Sequence, residues 1–228
     1  MFVPELYRPP SREWLYRIIR QYPLAVLVSN GTDAPHATHL PIVLPESASP
    51  AGPAEPRDVL LGHMNRSNPH WSQLTDGQHA RLVFSGPGGY VTPTHYRTTP
   101  AAPTWDFVAV HVAGTVHLEQ DPEQTLGVVS RTAQALEERF GRSWDQEPSL
   151  DHFASLVPGV GAFRLRIESV EGMFKLSQEK SLEIRQRVIR TFADSEVGSH
   201  RELARLMDEL GLGRPLAGVS GAPSGCPA

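Results

Sequence analysis

The sequence predicts a mainly β, α+β chain, a small β-barrel with peripheral helices. Three observations predict it. Short apolar runs recur between turn signals through the first half, one long amphipathic segment interrupts them in mid-chain, and two more amphipathic segments follow toward the C-terminus. No internal repeat or heptad pattern competes with this reading.

Near the N-terminus, Ser11 precedes a short helix whose Trp14, Leu15, Ile18 and Ile19 fall on one face. Leu24–Ser29 (LAVLVS) reads as a buried strand, followed by a turn at Asn30-Gly31, and His36–Leu44 as a second strand. Pro45–Arg57 is Pro/Ala/Ser-rich and reads as a flexible surface loop. Strands resume at Val59–Met64, Ala80–Ser85 and Tyr90–His95, and a long one runs from Trp105 to Leu118. There Val108, Val110 and Val112 alternate with Ala109, His111 and Ala113, giving one aliphatic face and one small, polar face.

Asp121-Pro122-Glu123-Gln124 has the N-cap, proline and Gln of a helix start. That helix is expected to carry Leu126, Val129, Ala133, Leu136 and Phe140 inward and to stop at Gly141. Phe163, Leu165 and Ile167 alternate with charged residues in a further strand, and helices are expected over 181–191 and 199–210. A Ser199-x-x-Glu202 capping box would open the last one. The expected organisation is a barrel domain over 1–192, a helical appendage over 193–212 and a disordered tail over 213–228.

Composition narrows the class. The 228 residues, 39% of them hydrophobic, suffice for a substantial core. No run approaches the ~18 apolar residues of a membrane helix. The start MFVPELYRPP lacks the basic and apolar regions of a secretion signal. Cys226 is the only cysteine, which rules out an internal disulfide and a cysteine metal cage and suits a reducing cytoplasm. A net charge of −4 argues against nucleic acid as the main partner. The arginines of IRQRVIR and HRELARL are offset by Glu183, Asp194, Glu196, Glu202, Asp208 and Glu209, so those helices read as a packing or dimerisation appendage. Neither G-x-G-x-x-G nor a P-loop is present.

Four segments are too polar for ordinary barrel wall: GHMNRSNPHW at 62–71, SGPGGYVTP at 85–93, YRTTPAAPTW at 96–105 and GMFKLSQ at 172–178. From Phe2 to Arg190 the chain resembles the PaiB-type family of FMN-binding negative transcriptional regulators, on GHM with NP and Trp, SGP with Tyr, PTW with VAVHV, and KLSQ. The resemblance implies an FMN-binding-type split β-barrel homodimer with its cofactor near the subunit interface. The MFVP start, APHATH at 34–39 and GMFKLSQE at 172–179 bring it closer to the haem-dependent piperazate synthases. That resemblance implies haem b as cofactor and cyclisation of L-δ-N-hydroxyornithine to L-piperazic acid with loss of water. His70 and Asp106 stand where PaiB relatives more often have Gln and Asn. The alternative implied by the same family is an FMN-binding regulator or a flavin-linked oxidoreductase.

Candidate site residues follow. A haem iron needs a neutral imidazole on a rigid element, and His63 ends the apolar run VLLGHM after Gly62, a residue that would let a large ligand approach. Residues alone favour His63 as a buried histidine bonded to backbone, and its ligation of the iron is what the resemblance adds. His70 is the alternative ligand, and His111 a structural or pocket-wall residue. Arg66, Arg97 and Lys175 are candidates to hold anionic groups, whether propionates, a flavin phosphate or a substrate carboxylate. Lys175 lies between Phe174 and the polar pair Ser177 and Gln178, and Tyr90 and Trp105 are candidates to stack on a flat cofactor. His36 and His39 point to opposite faces of a strand and do not make a zinc site. His79, His95, His117, His152 and His200 are assigned to surface or turns.

Overall fold

A computed structural model describes residues 1–45 and 58–215. Most of the expected loop at 45–57, and the tail from 216, lie outside the described residues. The chain divides into two compact units. The barrel unit comprises Glu13–Ser85 and Val110–Glu171; the second comprises Met1–Arg12, Gly86–Ala109 and the chain from Gly172.

Six strands are present: β1 (Leu24–Ser29), β2 (His36–Val43), β3 (Val59–Asn65), β4 (His79–Val91), β5 (Thr104–Leu118) and β6 (Val160–Lys175). They close a barrel in the order β1-β2-β3-β6-β5-β4. In the barrel unit β1 pairs antiparallel with both β2 and β4, β2 with β3, and β3 with β6. Alternation explains the inward set: Ala25, Leu27 and Ser29 are buried on β1, and Leu82 and Phe84 on β4. Helix α1 (Arg12–Gln21) buries Leu15, Ile18 and Ile19, as the apolar spacing predicts.

Several expectations are corrected. Asn30-Gly31 is not a two-residue turn: Ser29 pairs with His36, so the connection runs from 30 to 35. The expected break between Ala80–Ser85 and Tyr90–His95 does not occur, because β4 continues through the glycines to Val91. Gly86, Gly88 and Gly89 do not make a turn; they give space to neighbours. A Cβ on them would meet Val108, the Trp105 indole nitrogen and the His200 ring respectively. Pro93–His95 is a 3-10 turn rather than strand. Two short helices were not anticipated, α2 (Pro69–Gln73) and α4 (Leu150–Leu156).

The mid-chain helix α3 (Pro122–Phe140) starts at Asp121, whose side chain accepts from the Glu123 amide, and ends at Gly141 as expected. Its buried face is rotated from the expected one. Thr125, Val128 and Thr132 are buried, while Phe140 is 58% exposed. Val128 packs with Val43, Val59, Leu61 and Ala162, with Ala135 and Leu136 alongside. Thr132 tolerates this position because its hydroxyl donates to the Val128 carbonyl, which satisfies it inside the helix.

In the second unit, α5 (Leu182–Ala193) is capped by Ser181, which accepts from the Ile184 amide. The expected Ser199–Glu202 capping box does not open α6 (Gly198–Glu209). Its N-cap is Val197, with no side-chain cap, and Ser195 Oγ accepts from the Val197 amide instead. Arg185 is buried and donates to the carbonyls of Leu212 (2.8 Å), Lys180 (2.7 Å) and Arg214 (3.2 Å). It ties the chain after α6 to α5.

Candidate cofactor and active site

In the barrel unit, β3 carries Gly62 and His63. A Cβ at Gly62 would lie 2.5 Å from Ile42 Cδ1 and 2.6 Å from Phe163 Cζ. The glycine therefore makes room for core side chains rather than for an approaching ligand, which corrects the expectation. His63 is half-buried, and its Nδ1 is buried with no hydrogen-bond partner among the described residues. Desolvation lowers its proton affinity, so the ring stays neutral with a nitrogen lone pair available. His111 on β5 also has a buried Nδ1 without a partner; burial, then Arg81, lowers its pKa.

His70 is placed differently. Asn68 accepts from the His70 amide and starts α2, with Pro69 in its first turn. The ring is 2% exposed, with Nε2 2.9 Å from Ser29 Oγ and Nδ1 2.8 Å from Thr38 Oγ1. It stacks on His36 at 5.2 Å. Burial, then His36, lowers its pKa. With both nitrogens engaged by hydroxyls, His70 offers no lone pair to an iron in this conformation. Arg66 is exposed, donates from Nε to the Val160 carbonyl (2.8 Å) and lies over the Trp71 ring. The remaining guanidinium nitrogens leave it capable of meeting an anion.

In the second unit, Tyr90 (47% exposed) and Trp105 (56% exposed) form a tilted pair with ring centroids 6.3 Å apart. They are outward-facing aromatics rather than core. Lys175 Nζ donates to Thr104 Oγ1 at 2.5 Å. Gln178 is turned inward on its own loop: its amide donates to the Phe174 carbonyl at 2.5 Å and accepts from the Leu176 amide at 2.7 Å. Both ends of that amide are thus used in shaping the bend after β6. Arg97 is exposed and left-handed, with φ 53°.

The same unit holds a buried cluster that the residues alone did not single out as a site. Asp106 is fully buried, Oδ2 accepts from Ser177 Oγ at 2.7 Å, and Oδ1 is buried without a partner. Burial raises its pKa to about 7, the Ser177 bond opposing and Glu179 adding to the rise. Tyr96 is buried as well, its hydroxyl without a partner among the described residues, and its pKa is raised to about 12 by burial, then Asp106. Ser177 holds a left-handed φ of 59°. Sequence carried one hint: Asp106 is a charged residue in the inward register of the Val108–Val110–Val112 strand. His95, assigned to the surface, is half-buried with its ring edge against Phe192, and His200 stacks on that ring at 4.5 Å.

The structure thus places His63, Arg66 and His70 in the barrel unit, and Tyr90, Arg97, Trp105, Lys175 and Gln178 in the second unit. Among the described residues no group of three or more His, Cys, Asp or Glu could hold a metal ion. An iron here would need its other ligands from a macrocycle. No helix among the described residues is long and apolar enough to cross a membrane.

Comparison with known proteins adds to this geometry. The family described as "Putative FMN-binding domain" matches residues 1–169. The protease synthase and sporulation protein PAI 2 of Bacillus subtilis is 21% identical over 214 residues, covering 92% of this chain and 97% of that protein. Among solved structures, the FAD and haem binding protein from Mycobacterium smegmatis aligns with a TM-score of 0.51 at 14% identity, over 74% of this chain and 73% of that one. The flavocytochrome Anf3 from Azotobacter vinelandii gives 0.51 at 15%, over 74% and 69%. The two structures establish the fold as that of the FMN-binding split barrels.

Proposed function

The chain belongs to the FMN-binding domain family, and we propose that within it the protein is a haem-dependent piperazate synthase that cyclises L-δ-N-hydroxyornithine to L-piperazic acid. The observation that carries this reading is His63, an imidazole on a rigid strand with a buried, unpartnered Nδ1 and a lowered proton affinity. If haem is bound, His63 would hold its iron through such a neutral nitrogen. His70, with both nitrogens bonded to hydroxyls, does not compete for that role.

The neutral imidazole of His63 is the donor type that the group takes from a protein. When bound, haem would supply a Lewis-acidic iron, which suits a reaction that needs no external electrons. The α-amine nitrogen attacks the hydroxylamine nitrogen, the nitrogen–oxygen bond breaks, and one amine proton leaves with the hydroxyl as water. The amine must be neutral to attack, so the rate falls at low pH. Arg66 in the barrel unit, and Arg97 and Lys175 in the second, are cationic groups suited to carboxylates. This reading makes the protein an enzyme acting in the cytoplasm on a small molecule, as a homodimer.

A second reading is an FMN-binding regulator of the PAI 2 kind or a flavin-linked oxidoreductase. It is favoured by the near full-length similarity to PAI 2 and by the outward Tyr90–Trp105 pair, which offers a flat ring a stacking surface. The absorption spectrum of the purified protein separates the two. A Soret band, together with conversion of δ-N-hydroxyornithine to a product lighter by one water, supports the synthase. Flavin bands with no turnover would replace it with the second reading.

A further inference from the structure

The C-terminal half of α3, the segment 143–147 and Leu150 at the head of α4 line a cleft of about 450 Å³ in the barrel unit. We infer that this cleft binds a primary alkylammonium compound, its charged end among Glu137, Glu138, Asp145 and Glu147 and its carbon stem along Trp144. No Lys, Arg or His lines the cleft to offset these four carboxylates, and none of the residues considered above for a cofactor or substrate lies here.

The wall is built in advance of any ligand. Glu137 Oε1 accepts from the amides of Arg142 and Trp144, both at 2.8 Å, which ties the segment after α3 back to the helix. Trp144 is 50% exposed, and its indole leans on Phe153 with ring centroids 6.2 Å apart. A half-exposed indole offers a cation–π contact to an ammonium and an apolar surface to its stem. The side-chain oxygen of Gln146, another lining residue, is buried with no hydrogen-bond partner among the described residues. A buried acceptor left in that state calls for a donor from outside the chain.

The free acceptors select the ligand. Three of the carboxylates already have one oxygen in use: Glu137 Oε1 as above, Glu138 Oε1 accepting from Gln134 Nε2 (3.0 Å), and Asp145 Oδ1 accepting from the Glu147 amide (3.0 Å). Each therefore offers one further oxygen. A guanidinium fork is best met by both oxygens of one carboxylate, whereas an ammonium directs three N–H bonds to separate acceptors. A bare metal ion is a poor match, since no group of three or more His, Cys, Asp or Glu among the described residues could hold one. The volume suits a small organic molecule, for which clefts of roughly 300–1,000 Å³ are usual. Binding here is independent of the haem and flavin readings and is measured without turnover.

The test is calorimetric titration of the purified full chain with n-hexylammonium, n-hexanol and n-butylguanidinium. Saturable binding of hexylammonium is expected, weakened by added salt and tighter than that of the other two. Glu138→Gln and Glu147→Gln should each lower its affinity roughly threefold, because exposed ion pairs are individually weak, and together roughly tenfold. Trp144→Leu should weaken it about threefold and leave the salt dependence in place. Glu13→Gln, an exposed acid of α1, should leave the affinity unchanged. Absence of saturable binding, hexanol or butylguanidinium binding as tightly as hexylammonium, or an equal loss in Glu13→Gln would each overturn the assignment.

Discussion

Asp106 Oδ2 accepts a hydrogen bond from Ser177 Oγ at 2.7 Å, joining β5 to the bend that follows β6, while Oδ1 of the same carboxyl is buried with no partner. A carboxyl so placed is half satisfied as an anion and better tolerated as an acid.

Burial raises its pKa to about 7, from an ordinary aspartate value of 3.8. A raised carboxyl pKa contributes stability that is fully present below the unfolded value and is lost as pH rises through the folded one. Between pH ~4 and ~7 the folded state holds a proton that the unfolded chain has released, so stability falls across that window, by on the order of 4 kcal/mol. Asp106→Asn should therefore show a flatter pH dependence and a relative gain above pH 7. Urea unfolding from pH 4 to 8 measures it. Parallel curves for the two proteins would remove Asp106 as the titrating group.

His70 bridges Ser29 and Thr38 inside the barrel unit. His70→Ala leaves the buried Ser29 hydroxyl without its partner and opens a ring-sized void beside it. The expected cost is about 2–4 kcal/mol. Cofactor content per folded molecule should not change. Loss of cofactor with unchanged stability would give His70 a ligand role.

His63→Ala should abolish haem retention and cyclisation together, with the far-ultraviolet circular dichroism of the barrel preserved. His111→Ala is the control, because its Nδ1 is equally unpartnered. If the Soret band survives in the first variant and vanishes in the second, ligation moves to β5.

Gly62→Ala would press a methyl group against Ile42 and Phe163, both fully buried. Overpacking of this kind costs typically about 1–3 kcal/mol, here next to the candidate ligand. Thermal denaturation reads it directly. An unshifted transition would mean that the core yields without penalty.

Much of the fold was legible because strand alternation and helix capping are local. Val108, Val110 and Val112 are buried as their period-two spacing required, and Asp121 and Gly141 bound α3 as expected. Errors arose where a residue's meaning depends on what it meets. SGPGG reads as a turn in isolation, yet in β4 its glycines clear space for Val108, Trp105 and His200. Leu126 and Phe140 match a helical stripe as well as Thr125 and Val128 do. Val128 won its place because the Val43–Val59–Leu61 surface takes it, while Phe140 stays exposed.

The candidate site followed the same division. Composition and motif placed histidines and arginines in polar segments, but could not distinguish a histidine with an open nitrogen from one with both nitrogens bonded. His63 and His70 differ only through Ser29 and Thr38, residues from β1 and β2. Asp106 was visible as a departure in the sequence, and its protonation became visible only with Ser177 and the surrounding burial.

By itself the sequence determined which segments become strands and helices, and where most of them start and stop, since those preferences arise from neighbouring residues and their period. Tertiary structure alone decided which polar groups keep water, which find partners and which are left with neither. Desolvation and hydrogen bonding depend on atoms far apart in the chain, and these set the charge and reactivity of His63, His70 and Asp106.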